Sequence, residues 1–344
     1  MTTSSVVVRG RGPTQSDVAR LAGVSQATVS YIFNDTPAIR IPEETRQRIL
    51  AAIAELGYVP DRAARSLRTR KTHTLACIIP DITNPFYPAF LRGIQDVTDG
   101  QDYDVLTYNT DGDPEKEARC LRSVQQGRVD GIIAVLFHQT AIQLHEILER
   151  GIAVVRLESG RKEAGSWPID NIYVDNVAAA RAVVTHLIEG GHERIAVIVG
   201  RRGPRPARVL GYLQALTEHG IVPDDRLVRE GGFQEHEGQV AMRELLSFAS
   251  PPTAVFAVND LMAIGALRAI RHAGLRVPDD VAVAGFDDIP AAQIVSPSLT
   301  TIAQHPERLG CRAAEMLFER LRGEAPSHGR CEEMPYELVV RESA

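Results

Sequence analysis

The stretch Thr14–Asn34, TQSDVARLAGVSQATVSYIFN, reads as two short helices joined by a tight turn. Thr14 stands where it can cap the first helix, and Asp17, three residues on, completes a capping box. Val18, Ala19, Leu21 and Ala22 give that helix an apolar side. Gly23 ends it, because the chain there needs a residue that tolerates positive φ. Val24 fills the angle, and Ser25 caps a second helix. On that helix Val29, Ile32 and Phe33 face inward at spacings of three and four, which leaves Gln26, Ala27, Ser30 and Tyr31 facing out. Two helices so arranged form a helix-turn-helix, whose second helix suits the major groove of DNA. The competing reading is an ordinary helical hairpin. The N-terminal position, a third helix and a basic linker favour the DNA-facing one.

Working outward, DTPAIRIP is a loop, and a third helix runs from about Pro42 to Leu56. Pro42 suits a first turn. Ile49, Leu50, Ile53, Ala54 and Leu56 are expected to form the face that roofs the other two helices. Gly57 closes it. DRAARSLRTRK follows, with Arg62, Arg65, Arg68, Arg70 and Lys71 around Ala63, Ala64 and Leu67. So short a segment does not hold a helix alone in water. Two copies packed together on DNA could, and Leu67 would then be free to wedge between base steps while Arg68 nears the backbone. A flexible basic tether is the alternative. Before Thr14, MTTSSVVVRGRG reads as a disordered, weakly basic arm whose three-valine run is too short for a signal peptide.

Charge divides the chain in the same place. Residues 1–71 carry 11 Lys/Arg against 6 Asp/Glu, whereas the remaining 273 carry 27 against 38. A basic head on an acidic body suits a head that meets phosphates while the body repels them. At 344 residues two or three domains are expected. No apolar run approaches a membrane span, so the cytoplasm is the expected compartment. Cys77, Cys120, Cys311 and Cys331 lie far apart without a CxxC pattern and read as buried free thiols, not as a disulfide or metal site.

From Thr74 apolar strands and amphipathic helices alternate. Strands are expected at TLACIIP, Asp104–Tyr108, Gly131–Leu136, Ala153–Leu157, IAVIVG (195–200), around Arg229–Gly231, AVFAVN (254–259) and VAVAGF (281–286). The stretch between Leu157 and Asn176 reads as a loop. Such alternation argues parallel sheets covered on both faces, and the number of units suggests two similar α/β lobes with a cleft between them. Ligands of open α/β sheets sit at the carboxyl ends of strands. That rule marks Asp81–Tyr87, Arg201–Arg208, Asn259–Asp260 and Asp287–Asp288, a mixture of Asp, Asn, Arg and aromatic residues suited to a polar small molecule such as a sugar or nucleobase. No Walker loop, GxSxG elbow, HExxH or GxGxxG is present, so no catalytic, metal or cofactor site is expected. An enzyme or a solute-binding protein using the same α/β body is the alternative.

At this point the sequence resembles the LacI/GalR family of bacterial transcription regulators. The stretches that carry the resemblance include DVARLAGVSQATVS, GRVDGIIAV, GHERIAVIVG, PTAVFAVNDLMAIGALRAIRHAGLRVPDDVAVAGFDDI and SPSLTTIAQHPERLG, in order through nearly everything from Thr14 to Arg341. The resemblance implies a homodimeric repressor on double-stranded DNA with a pseudo-palindromic operator. Its fold would be an all-α helix-turn-helix head on an α/β body like a two-lobed periplasmic binding protein. A small, carbohydrate-like effector would sit between the lobes. The implied limits are an arm over 1–13, a head over 14–60, a hinge helix over 61–72 and a body over 73–344. Within the body, lobe 1 takes about 73–174 and 302–334, and lobe 2 about 175–301 and 335–344.

Carried over residue by residue, Gln26, Ala27 and Tyr31 read bases. Ser25, Thr28 and Ser30 hold phosphate or support those contacts, Thr14 and Asn34 complete the DNA-facing set, and Leu67 and Arg68 take the hinge positions. Effector positions fall on Asp81, Phe86 and Tyr87 in the first lobe. In the second they fall on Arg202, Arg208, Phe233, Asn259 and Asp287. Asp175 is expected to order the crossover. Some positions depart from the family pattern. Tyr31 stands where many relatives carry a basic residue, so a different operator is expected. The Asp35–Ile41 loop looks about two residues longer than usual. Arg156, inside a buried strand, needs an acid or the cleft. Arg201, Arg202 and Arg205 crowd one loop, which hints at an anionic effector or else a solvated basic loop.

Overall fold

The structure is a computed structural model that describes residues 12–33, 41–59, 71–139, 141–162 and 166–344. Residues 1–11 of the expected arm, Asn34 and the loop to Arg40, and the segment 60–70 with Leu67 and Arg68 lie outside the described residues, as does the side chain of Phe33. The chain divides into two compact units, Met1–Thr72 and His73–Ala344.

In the first unit, α1 (Gln15–Ala22), α2 (Gln26–Phe33) and α3 (Glu43–Leu56) enclose a small core. Thr14 caps α1: its hydroxyl accepts from the Asp17 amide at 3.3 Å, and its own amide donates to the Asp17 carboxylate at 2.9 Å. Gly23 takes φ +65°, and the Val24 amide returns to the Ala19 carbonyl at 3.0 Å to close the turn. Val18, Ala19, Ala22, Val29, Ile49 and Ala52 are buried. Three expected core positions differ. Leu21 is 46% and Leu50 40% exposed, and Ala54 is exposed too. The buried face of α3 runs through Ile49, Ala52, Ile53 and Leu56, which is the one stripe a 3.6-residue period allows.

The second unit holds two parallel sheets. The first contains β1 (Thr74–Ile79), β2 (Asp104–Asn109), β3 (Gly131–Ala134), β4 (Ala153–Glu158), β5 (Ile169–Val174) and β11 (Cys331–Met334), in the order β11-β5-β4-β3-β1-β2. The second contains β6 (Ile195–Gly200), β7 (Val228–Gly232), β8 (Ala254–Ala257) and β9 (Ala282–Ala284), in the order β7-β6-β8-β9. A short antiparallel pair, β10 (Thr301–Ala303) and β12 (Glu337–Val339), lies in the stretches where the chain passes between the sheets. Both sheets reverse their order beside their first strand. A crevice therefore opens at the carboxyl ends of β1 and β3 in one and of β6 and β8 in the other.

Alternation along β1 shows why the sheet is covered twice. Leu75, Cys77 and Ile79 pack under α4 (Phe86–Asp99) and α11 (Pro306–Leu321), while Ala76 and Ile78 pack under α5 (Pro114–Val124) and α6 (Ala141–Leu148). The second sheet shares one core with α7 (Asn176–Glu189), α8 (Arg205–Glu218), α9 (Glu235–Leu246) and α10 (Asp260–His272). Strand β5 replaces part of the expected loop. Asp170 and Asn171 disguise it in the sequence. Asp170 is fully buried because Arg320 and Arg330 both donate to its carboxylate. Arg156, part-buried in β4, pairs with Glu158. Cys77 and Cys120 are buried, but Cys311 and Cys331 are only half-buried. No helix among the described residues is long and apolar enough to cross a membrane.

Candidate functional site

The two sets of strand ends face one cleft of about 850 Å³. Asp81, Phe86, Tyr87, Arg202, Arg208, Phe233, Asn259 and Asp287 all line it. The structure therefore brings all eight residues named from the sequence to one place.

The second-lobe wall is buried and internally bonded. Arg208, 5% exposed, leaves α8 with Nε donating to Asn176 Oδ1 at 2.7 Å and Nη1 donating to the Val258 carbonyl. Its guanidinium carbon lies 3.6 Å from the Phe286 ring centroid, and Nη1 is 3.7 Å from Asp287 Oδ1. Gln304 Nε2 donates to the same Asp287 oxygen at 2.7 Å. Burial pushes the Asp287 carboxyl up to about 7; Arg208 opposes the shift and Asp260 adds to it. Asp260 is pushed up to about 6, again by burial, and receives the Thr301 hydroxyl at 2.5 Å and the Ile289 amide at 2.8 Å. Asn259 is both wall and cap: Oδ1 accepts from the Met262 amide at 3.0 Å, and Nδ2 donates to the Phe233 carbonyl at 2.9 Å. Phe233 lies at φ +121° over Gly200, where a Cβ would meet its ring at 2.0 Å.

The first-lobe wall is built on turns. Asp81 Oδ1 accepts from the Thr83 amide at 2.9 Å and its hydroxyl at 2.6 Å. Phe86 opens α4 and joins the core, and Tyr87 meets its ring edge-on at 5.2 Å. Burial raises the Tyr87 hydroxyl above its ordinary value. Buried Glu117 accepts from the Phe137 and His138 amides at 2.9 and 3.1 Å, which fixes the chain leaving β3. The arginine cluster is partly engaged: Arg205 pairs with Glu230 at 2.6 Å, and Arg202 donates to the Gly112 carbonyl. Asp175 caps α7 through the Val177 and Ala178 amides.

Gln234, Phe137, Glu158, Asn176 and Gln304 also line the cleft. Gln234 and Phe137 follow β7 and β3, and Glu158 ends β4, so the strand-end rule applied to every strand finds them. Asn176 and Gln304 follow β5 and β10, which the pattern did not reveal as strands. Among the described residues no group of three or more His, Cys, Asp or Glu side chains could hold a metal ion.

On the head, Ser25, Gln26, Ala27 and Tyr31 are exposed along α2, with Thr28 and Ser30 half-buried beside them. Ser25 Oγ accepts from the Thr28 amide at 3.1 Å. Gln26 is bonded to the start of α1, accepting from Ser16 and donating to Gln15 at 3.3 and 3.4 Å. The Thr14 hydroxyl is taken up by Asp17.

A helix-turn-helix head with a parallel α/β body of this kind defines a class of bacterial regulator. Residues 14–61 match the description "Bacterial regulatory proteins, lacI family", and residues 184–344 match "Periplasmic binding protein-like domain". The ribose operon repressor of Escherichia coli (strain K12) is 38% identical over 312 residues, covering 90% of this chain and 93% of its own. Among solved structures, the transcriptional regulator CelR–cellobiose complex is 32% identical at a TM-score of 0.72, covering 96% of this chain and 100% of its own. The lac repressor dimer bound to operator and the anti-inducer ONPF is 27% identical at a TM-score of 0.84, covering 97% and 99%. The chain belongs to the lacI family of bacterial regulatory proteins, and its relatives are transcription regulators, not enzymes.

Proposed function

We propose that this regulator is a homodimeric repressor that reads a pseudo-palindromic operator through α2 and responds to a neutral, carbohydrate-like effector held in the body cleft. The convergence of the eight named residues on one cleft carries this reading. Its wall combines aromatic faces with an Arg208–Asp287 pair already balanced within the protein, which suits hydroxyl groups better than a net charge. Arg205 is paired with Glu230, which takes it out of the cationic cluster and favours a sugar over a sugar phosphate. The names of the ribose operon repressor and of the cellobiose complex support that class, and the operator-bound lac repressor dimer supports the DNA arrangement.

In the head, Gln26, Ala27 and Tyr31 are the proposed base readers, with Ser25, Thr28, Ser30 and Thr14 beside them; Asn34, Leu67 and Arg68 complete the proposed DNA set. The proposed limits are a head over 14–60, a hinge over 61–72 and a body over 73–344. A DNA target puts the protein's work in the cytoplasm. The test is a thermal-shift screen against sugars, polyols, sugar phosphates, sugar acids and nucleobases. A ligand at 100 times its dissociation constant stabilises by about 2.7 kcal/mol. A neutral sugar that raises the melting temperature and shifts operator affinity is expected; a hit confined to anionic ligands overturns the neutral assignment.

A further inference from the structure

The cleft is bridged by the protein's own side chains. Gln234 in the second lobe donates from Nε2 to Asp81 Oδ2 in the first at 2.6 Å. A second seam has Arg202 donating to the Gly112 carbonyl, which also faces His138 Nε2 at 3.1 Å, with the Phe137 ring seated over Gly203. A Cβ at Gly203 would lie 2.7 Å from that ring.

The Gln234–Asp81 contact is prepared on both sides. Gly232 and Phe233 take φ +68° and +121°, and the Gln234 amide donates to Glu237 Oε2 at 3.2 Å, so the bend before α9 fixes where this side chain starts. Opposite, both Thr83 donors hold the other oxygen of Asp81. A hydrogen bond to a carboxylate between groups already positioned loses little to ordering. Arg202 is exposed and reaches its acceptor on a long side chain, so its contact contributes less.

We propose that Gln234 is a positioning residue for cleft closure. Its bond to Asp81 holds the lobes together before any effector arrives and sets the fraction of molecules ready to retain one. This rests on reading the cleft as the effector site, but the latch itself is open to test without effector. Losing the bond lowers apparent effector affinity in proportion to the closed fraction lost.

The experiment is a spin-label distance measurement on the full chain without ligand. Labels go on Ile142→Cys and Val222→Cys, which are 71% and 85% exposed on the two lobes. The background is Cys311→Ser and Cys331→Ser, and labelled protein is diluted with unlabelled protein to suppress distances between subunits. Cys77 and Cys120 are buried, and burial raises both thiols. Gln234→Glu sets two carboxylates face to face and is expected to raise the open-to-closed ratio about tenfold. Gln234→Ala moves it the same way by less. Asp81→Asn combined with Gln234→Glu reverses the polarity of the bond, because the new amide donates across the cleft while its oxygen still serves Thr83; the ratio returns towards that of the parent. A residue needed only to cap α9 would lower the melting temperature in single and double variants alike and would not be rescued. Distances unchanged by Gln234→Glu, or a double variant as open as the single, overturn the latch. A screen that finds no effector overturns the effector reading and leaves this measurement standing.

Discussion

The two lobes share a strand order yet treat their cleft residues differently. The second lobe offers Arg208, Asn259 and Asp287, each at most 5% exposed and each already bonded within the protein. The first offers Asp81 and Tyr87 from half-buried turns and the start of a helix. Side chains locked by packing recognise a ligand without reorganising, whereas side chains on turns follow when the lobes close. By burial, the second lobe's cleft residues are the floor and the first lobe's the more exposed rim.

The hardest blow to that contrast is Arg208→Ala. It removes the donor to Asn176 and to the Val258 carbonyl, and a buried acceptor left unpaired costs about 1–3 kcal/mol each. Urea unfolding should register it, and the thermal response to any sugar should vanish. Stability within 1 kcal/mol of the parent, as a rough surface-site figure, would make the floor no more rigid than the rim. Gly200→Ala comes next, because its Cβ cannot share space with the Phe233 ring. About 1–3 kcal/mol of stability should be lost, together with most of the ligand response.

A pH series sharpens the contrast further. Folded Asp287 holds its proton up to about 7 and Asp260 up to about 6, against 3.8 for the free carboxyl. Between those values the folded state binds more protons than the unfolded one, so stability falls as pH rises from about 4 to about 7. Asp287→Asn should flatten that fall, by something on the order of 4 kcal/mol across the window. An unchanged slope would mean that Asp287 is ionised throughout. The smallest effect is expected at the rim: Asp81→Ala should weaken sugar binding by roughly tenfold and leave stability within about 1 kcal/mol, since Asp81 is part-exposed.

Much of this was legible in the chain. Thr14 and Asp17 announced a capped helix, Gly23 its end, and the apolar runs their strands. Leu21 and Leu50 misled because an apolar residue at the edge of a helical stripe looks the same in sequence as one at its centre. Strand β5 was hidden by Asp170 and Asn171, whose partners lie elsewhere: Arg330 is 160 positions from Asp170.

The division has one physical cause. Caps, turns and period depend on groups within about four residues of one another, so the sequence alone determined the helix-turn-helix and the alternating body. Burial and pairing depend on distant segments meeting in water-poor space. Only the tertiary structure put Gln234 against Asp81, 153 positions away, and only it raised the Asp287 carboxyl to about 7, because desolvation exists once the chain has folded around that side chain.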